Sequence, residues 1–263
     1  MYAFAYERPA ALADAVAKIS AGGQALAGGQ TLIASLKQRL AQPSSLVDLA
    51  AVSELSGIKK EGNTLVIGAM TRHEFVADSA EVKASIPGLA DLAGNIGDRQ
   101  VRAMGTMGGS VANNDPAACY PSAVLALGAT VQTNKRKIAA DDFFQGMYTT
   151  ALEEGELITA IHFPLAKKSA YAKFRQPASR FALVGVFVAQ TDQGVRVAIT
   201  GAGNGVFRHA GLEAALSKSF TPEAVEGVTI DASELNGDLH ASAAYRAQLI
   251  KVQTQRAVQQ ANA

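Results

Sequence analysis

The run from Gly105 to Ser122, GTMGGSVANNDPAACYPS, restricts the fold more than any other part of this chain. Its Gly108–Gly109 pair is flanked by the hydroxyl residues Thr106 and Ser110, and an Asn-Asn-Asp-Pro turn follows. Adjacent glycines cost backbone entropy in any regular element and Pro116 removes a donor, so neither a plain helix nor a plain strand is expected here. Bare backbone N–H groups beside hydroxyls can instead approach an anionic ligand. A second segment of this kind lies upstream at Leu26–Ile33, LAGGQTLI. A short strand, QALA, leads into it, and Leu32, Leu36 and Leu40 fall at helical spacing over 31–40. Strand, Gly-Gly turn and helix is the arrangement that turns N–H groups toward a phosphate. Two such segments are what a pyrophosphate held between two lobes requires, although one Gly-Gly pair alone is explained as well by a tight turn.

The rest of the composition removes several functions. The chain has 24 basic and 23 acidic residues, which gives no electrostatic basis for binding nucleic acid or an anionic membrane. MYAFAYERPA lacks a basic-then-apolar leader and the run FALVGVFVA is too short to cross a bilayer, so a cytoplasmic protein without membrane insertion is expected. Cys119 is the only cysteine, which excludes an internal disulfide and any zinc or iron–sulfur cluster built from this chain alone. His73, His162, His209 and His240 are scattered, so no metal site is expected. A length of 263 residues suits two modest domains or one large one.

Read in order, Leu12, Val16 and Ile19 predict a helix over 9–20 with Pro9 in its first turn. LVDL (46–49) reads as a buried strand, and SGIKK with TLVIGAM as a hairpin. Thr71 and Glu74 fit a capping box that leaves His73 on a helix surface. Further predictions are a helix over 87–93, a hairpin of ATVQT with RKIAA, a helix start at Asp141–Asp142 and a strand over 156–163. Arg99 and Arg102 read as structural rather than as phosphate ligands. The pattern changes at 165–169. A three-strand meander follows (SAYAKFRQ, FALVGVFVAQ, VRVAITGAG), then helices, one capped by Thr221 with Pro222 at its first position. A long C-terminal helix carries Tyr245, Leu249, Val252 and Arg256.

Catalytic motifs fail. The third glycine of Gly201–Gly205 falls one place early for a dinucleotide fingerprint, and it sits in a meander. No phosphate-binding G-x-x-x-x-G-K-[ST] loop exists, and Gly108–Ala112 lacks the partners of a serine hydrolase. No catalytic side chain is therefore assigned, and the chemistry is expected to reside in a bound cofactor.

Four segments in order, LAGGQTLI, TMGGSVANNDPAACYP, DDFFQGMYTTALEEGELITAIHFP and AYAKFRQPASRFALVGV, resemble the FAD-binding medium subunit of molybdenum hydroxylases. This group includes carbon monoxide dehydrogenase medium subunits and the flavin domain of xanthine dehydrogenase. The resemblance implies an α+β chain: a two-lobed FAD-binding domain of the vanillyl-alcohol-oxidase (PCMH) type over 1–167, with lobes of about 1–56 and 57–167. A carbon monoxide dehydrogenase flavoprotein-type C-terminal domain, antiparallel sheet plus helices, would fill 168–263. It implies that Leu26, Ala27, Gly28, Gly29, Gln30, Thr31, Leu32 and Ile33 wrap the pyrophosphate. Thr106, Gly108, Gly109 and Ser110 would supply amides and hydroxyls from the other side. Ile96 would sit against the cofactor, Ile158 would line its pocket, Lys173 would approach the flavin end and Tyr171 would pack near the isoalloxazine ring.

One departure concerns Cys119, which stands where many relatives carry an Asp that contacts the FAD ribose. A thiol is a poorer acceptor, leaving Asp115, Asn113 or backbone for that role. From the residues alone Cys119 reads as a small side chain packed in the loop, with a redox role as the alternative. The resemblance further implies a large molybdenum-cofactor subunit and a small two-cluster iron–sulfur subunit as partners, in a dimer of heterotrimers. This chain would then move electrons from the iron–sulfur subunit to an external acceptor. The other readings are a stand-alone FAD oxidoreductase, against which counts the lack of a histidine in either glycine segment, and an FAD-binding protein without redox work.

Overall fold

The computed structural model describes residues 1–263 and contains three main sheets in sequence order. The first is parallel, ordered β1-β3-β2, from β1 (Ala5–Glu7), β2 (Gln24–Leu26) and β3 (Ser45–Asp48). Parallel neighbours need crossovers, which α1 (Leu12–Ser20) and α2 (Leu32–Lys37) provide. Pro9 lies ahead of α1 rather than in its first turn, while Ala15 and Ile19 are buried with Val47 and Leu49. The second helix stops earlier than its leucine spacing predicts. Arg39 adopts a left-handed conformation (φ 61°), and the Leu40 and Arg39 N–H groups close back onto Ser35 O (2.9 Å) and Leu36 O (3.1 Å). This is a Schellman ending, and it leaves Leu40 exposed.

The second sheet is antiparallel, ordered β4-β5-β10-β6-β7. The hairpin of β4 (Ile58–Glu61) and β5 (Thr64–Gly68) leads into a helical excursion before the sheet resumes. That excursion comprises α3 (His73–Asp78), α4 (Ala80–Ser85), α5 (Pro87–Gly94), α6 (Arg99–Met104), α7 (Met107–Asn113) and α8 (Tyr120–Ala126). Next come β6 (Thr130–Thr133), β7 (Lys137–Ala139), the single turn α9 (Ala140–Phe143), the small hairpin β8 (Phe144–Gly146) and β9 (Thr149–Thr150), and β10 (Ile158–Pro164). The capping box at Thr71 does not form. Its hydroxyl is used instead by Gly57, accepting from the N–H at 3.0 Å and donating to the carbonyl at 3.1 Å. His73 is buried rather than on the surface, because Gly105 packs against its ring while the Gly105 carbonyl accepts from the His73 backbone N–H at 3.0 Å.

The third sheet is an antiparallel meander of β11 (Lys168–Arg175), β12 (Ala182–Thr191) and β13 (Gly194–Thr200), extended by a fourth short strand, β14 (Phe207–Arg208). Both faces of β12 are covered, which explains its unbroken apolar run. Val184, Val186 and Val188 join a core with Leu212 of α10 (Ala210–Lys218) and Leu249, Ile250 and Val258 of α11 (Ala243–Asn262). On the other face, Phe187 and Ala189 join the core that holds Tyr120, Leu89 and Leu92. A Cβ on Gly88 would lie 2.8 Å from the Ala170 backbone, so only glycine lets α5 approach β11 this closely. Arg196 of β13 ties the third sheet to α9, pairing with both oxygens of Asp141 at 2.7 and 2.8 Å.

Two C-terminal expectations change. Pro222–Val225 makes one 3₁₀ turn without a side-chain cap from Thr221, and it ends at Glu226. In α11 the buried face runs through Arg246, Leu249, Ile250, Gln253, Thr254, Ala257 and Val258, while Tyr245 and Arg256 face water. Arg246 is buried because its guanidinium donates to Leu183 O (2.7 Å), Gly201 O (2.8 Å) and Asp238 Oδ2 (2.8 Å). No helix is long and apolar enough to cross a membrane.

Candidate functional site

The first glycine segment leaves β2 and turns at Gly29 (φ 70°) into α2. Gly28 is pinned by its neighbour across the cleft, since a Cβ there would lie 2.2 Å from Met104 O and 2.7 Å from Gly105 Cα. The N–H groups of Gly28, Gly29, Gln30, Thr31 and Leu32 have no acceptor anywhere in the chain. Five consecutive amides without partners, on a loop stiffened by the Gln30 side chain bonding to Gly28 O (3.2 Å), form a concave donor set. Thr31 adds a hydroxyl not used as a cap.

The second glycine segment does not match its expectation. Met107–Asn113 is a helix, and its first amides are already satisfied. Thr106 caps it by accepting from Gly109 N at 3.2 Å, Met107 N donates to Thr71 O (3.0 Å), Gly108 N to Ala69 O (2.8 Å), and Ser110 N to Thr106 O (3.1 Å). The glycines are tolerated because the cap offsets part of their roughly 1 kcal/mol cost per residue. Packing also demands one of them: a Cβ on Gly108 would lie 2.5 Å from that of Ala69. This segment therefore faces the cleft with side chains, notably Ser110 and Asn113, rather than with bare amides.

Beyond α7 the chain is held at both ends. Asn114 ends the helix in a left-handed conformation (φ 43°), with its amide donating to Gly146 O (2.7 Å) and Thr149 O (2.8 Å). Asp115 accepts from Ala117 N (2.8 Å) and the Tyr148 hydroxyl (3.2 Å). The Thr200 hydroxyl lies 2.8 Å from Pro116 O and 2.7 Å from Ala118 O, tying this loop to β13. At the far end Lys173 donates to Asn95 O (2.9 Å) and to the Cys119 sulfur (3.3 Å). Arg102 proves structural, donating to Ile96 O at 3.0 Å.

These elements enclose a cleft of about 830 Å³. Of the residues assigned from the sequence, Ala27, Gly28, Gly29, Gln30, Thr31, Leu32, Ile96, Thr106, Gly108, Gly109, Ser110, Asn113, Asp115, Cys119, Ile158 and Lys173 line it. Leu26, Ile33 and Tyr171 do not. Leu26 ends β2, Ile33 turns outward on α2, and Tyr171 is buried against Phe187 with ring centroids 6.4 Å apart. Burial, then the neighbouring Cys119, pushes the Tyr171 hydroxyl well above the usual tyrosine range.

Some wall residues were not assigned from the sequence: Gly22–Gly23, His73, Glu156 and Ser179–Phe181. The Gly-Gly pair at 22–23 is a usable signal, since it is a third glycine pair of the kind that marks the other two cleft segments. Burial pulls the His73 imidazole down to about 4, so it is neutral at ordinary pH. Hydrogen bonds from Arg136 bring Glu156 down to about 2, despite its burial. One buried base is thus neutral and one buried acid is ion-paired, and neither is poised for proton transfer. No group of His, Cys, Asp or Glu could hold a metal ion.

The fit to FAD rests on the donor set. Unpartnered amides at Gly28–Leu32 suit the charged oxygens of a pyrophosphate, and the remaining wall mixes apolar surface with a few polar groups, as cofactor sites do. Fold and site thus define a flavoprotein, the FAD-carrying subunit of an oxidoreductase. Residues 2–166 match the family described as FAD binding domain in molybdopterin dehydrogenase. The chain is 36% identical to the carbon monoxide dehydrogenase medium chain of Afipia carboxidovorans, covering 99% of this chain and 97% of that one. It is 34% identical to the corresponding chain of Hydrogenophaga pseudoflava, covering 94% of each. A solved structure of Hydrogenophaga pseudoflava carbon monoxide dehydrogenase superposes with a TM-score of 0.89 at 33% identity, over 99% of this chain and 97% of that one. This chain belongs to the FAD-binding medium-subunit family of the molybdenum hydroxylases.

Proposed function

We propose that this chain is the electron-transferring flavin subunit of a heterotrimeric molybdenum hydroxylase. It receives electrons from a small iron–sulfur subunit and passes them to an external acceptor, while a large molybdenum-cofactor subunit oxidises the substrate. Two such heterotrimers form a dimer. FAD, when bound, supplies the redox chemistry. The observation that carries this reading is the row of five unpartnered amides in a cleft whose buried titratable groups are locked.

The residues divide the work of holding the cofactor. Gly28–Leu32 N–H groups receive the pyrophosphate, with the Thr31 and Ser110 hydroxyls as further donors. Asn113 and Asp115 offer the polar contacts for ribose that a Cys119 thiol makes poorly. Ile96, Ile158 and Lys173 line the flavin end. Tyr171 acts behind the wall, setting the position of Cys119 and of β11 rather than touching the ring. The two FAD-binding lobes take residues 1–56 and 57–167, and the C-terminal domain 168–263. Its antiparallel sheet buttresses the Pro116–Ala118 loop through Thr200.

The test is co-production with candidate partner subunits, followed by rapid mixing with substrate. The proposal expects a complex that carries molybdenum, iron and FAD, with flavin bleaching only when the iron–sulfur subunit is present. Direct bleaching of the isolated chain by a small organic substrate would instead establish a stand-alone oxidoreductase.

A further inference from the structure

Three side chains meet at one end of the cleft, and their hydrogen bonding is unbalanced. Cys119 is buried just ahead of α8, with Lys173 Nζ 3.3 Å from its sulfur. Tyr171 lies two residues before Lys173, so both point to the same face of β11. It is 2% exposed, and its hydroxyl makes no hydrogen bond of good geometry, having only the weak acceptor Cys119 sulfur beside it. A buried phenol normally finds an acceptor. Sulfur is a weak one, so two strong donors surround an atom that satisfies neither well. An oxygen atom carried on that sulfur would accept from both.

Access comes from one side only. Cys119 lines the cleft, whereas Tyr171 lies behind it in the core. No second cysteine exists to convert an oxidised sulfur into an internal disulfide. We propose that Cys119 is an oxidisable thiol guarded by the cofactor: with the cleft empty, hydrogen peroxide converts it to a sulfenic acid that Lys173 and Tyr171 hold. The inference rests on FAD occupying this cleft.

The step balances as thiol plus hydrogen peroxide giving sulfenic acid plus water. Sulfur attacks one peroxide oxygen, the S–O bond forms as the O–O bond breaks, and the departing hydroxide takes up the proton lost from the thiol. Sulfur is oxidised by two electrons and the peroxide is reduced. The added oxygen enlarges the cleft wall, so the oxidised chain should bind FAD more weakly. By linkage, bound FAD should oppose oxidation by the same factor at equilibrium.

The experiment exposes the full-length chain to hydrogen peroxide with and without FAD, traps sulfenic acid with dimedone, and locates the adduct by peptide mass spectrometry. FAD bound is measured in the same samples by its release on denaturation. The chain without FAD should form one adduct, at Cys119. With FAD at a hundred times its Kd, the labelling rate should fall about a hundredfold, since only that fraction of clefts stays open. Tyr171→Phe and Lys173→Met should each give less sulfenic adduct and more sulfinic acid. Cys119→Ser should abolish both the adduct and the effect of peroxide on FAD affinity. Equal labelling of a chain shown to hold FAD overturns this inference alone, as does alkylation of Cys119 by iodoacetamide without any dimedone adduct after peroxide. A chain that takes up no FAD overturns the flavin reading and this inference with it.

Discussion

Replacing Gly28 with alanine should weaken FAD binding far more than it weakens the fold. The new Cβ would stand 2.2 Å from Met104 O, against a closest ordinary approach of 3.0 Å, so the two segments must part by about 0.8 Å. Its nearest neighbours, Met104 O and Gly105 Cα, are backbone atoms, and no rotamer change relieves the clash. Overpacking of this kind costs about 1–3 kcal/mol of stability. The same displacement misaims the five amides of Gly28–Leu32, and hydrogen bonds weaken steeply with misalignment. Each bond to a charged acceptor is worth about 1.5–3 kcal/mol. Losing one or two should therefore cost about 2–4 kcal/mol of FAD affinity, roughly 30- to 1000-fold. Titration of the FAD-free chain, followed by flavin fluorescence, measures that loss, and thermal melting without FAD measures the stability cost. Gly94→Ala is the control, because its nearest neighbour is Ala77 Cβ at 3.8 Å and it lies off the cleft. If Gly28→Ala binds FAD as the unsubstituted chain does, the close approach does not position the amides and the reasoning fails.

Other perturbations test separate parts of the account. His73 has an ordinary value of 6.5 and about 4 when folded, so between those values the unfolded chain binds more protons. Stability should thus fall as pH drops from 6.5 to 4, by up to about 3 kcal/mol, and urea unfolding of His73→Asn should show a shallower slope. Thr106→Val removes the cap of α7 and should cost about 1 kcal/mol, read as a lower melting temperature. Arg246→Met leaves the carbonyls of Leu183 and Gly201 without their buried donor, and should destabilise the chain by about 3 kcal/mol in denaturant titration.

What could be read from the sequence was what local spacing encodes. The order strand, Gly28–Gly29, helix is a local signal, and the chain realises it with the amides left without acceptors beside the cleft. The length of the unbroken apolar run FALVGVFVAQ and the turn residues after it sufficed to place β12. By contrast, the helix over Met107–Asn113 is invisible to glycine propensity, because it depends on the Thr106 cap and on close packing against Ala69. His73 looked like a surface residue since nothing local reveals that Gly105, far along the chain, covers its ring. Arg39 hid the end of α2, for a left-handed arginine carries none of the sequence signature that glycine would. The Lys173–Cys119 contact joins a strand of the third sheet to the residue ahead of α8, and exists only through packing of α5 against β11 and of α8 against β12 and β13. The sequence neighbourhood places Tyr171 near the flavin, but although it shares a face of β11 with Lys173 it lies deeper along the strand, packed against Phe187 in the core behind the cleft.

The central claim is that the cleft between the two glycine segments holds FAD. The direct measurement is the visible spectrum of the chain purified alone, with quantification of the FAD released on denaturation and titration of any empty fraction. The account predicts one tightly held FAD per chain, lost in parallel with the affinity of Gly28→Ala. A colourless chain that also fails to take up added FAD would contradict it.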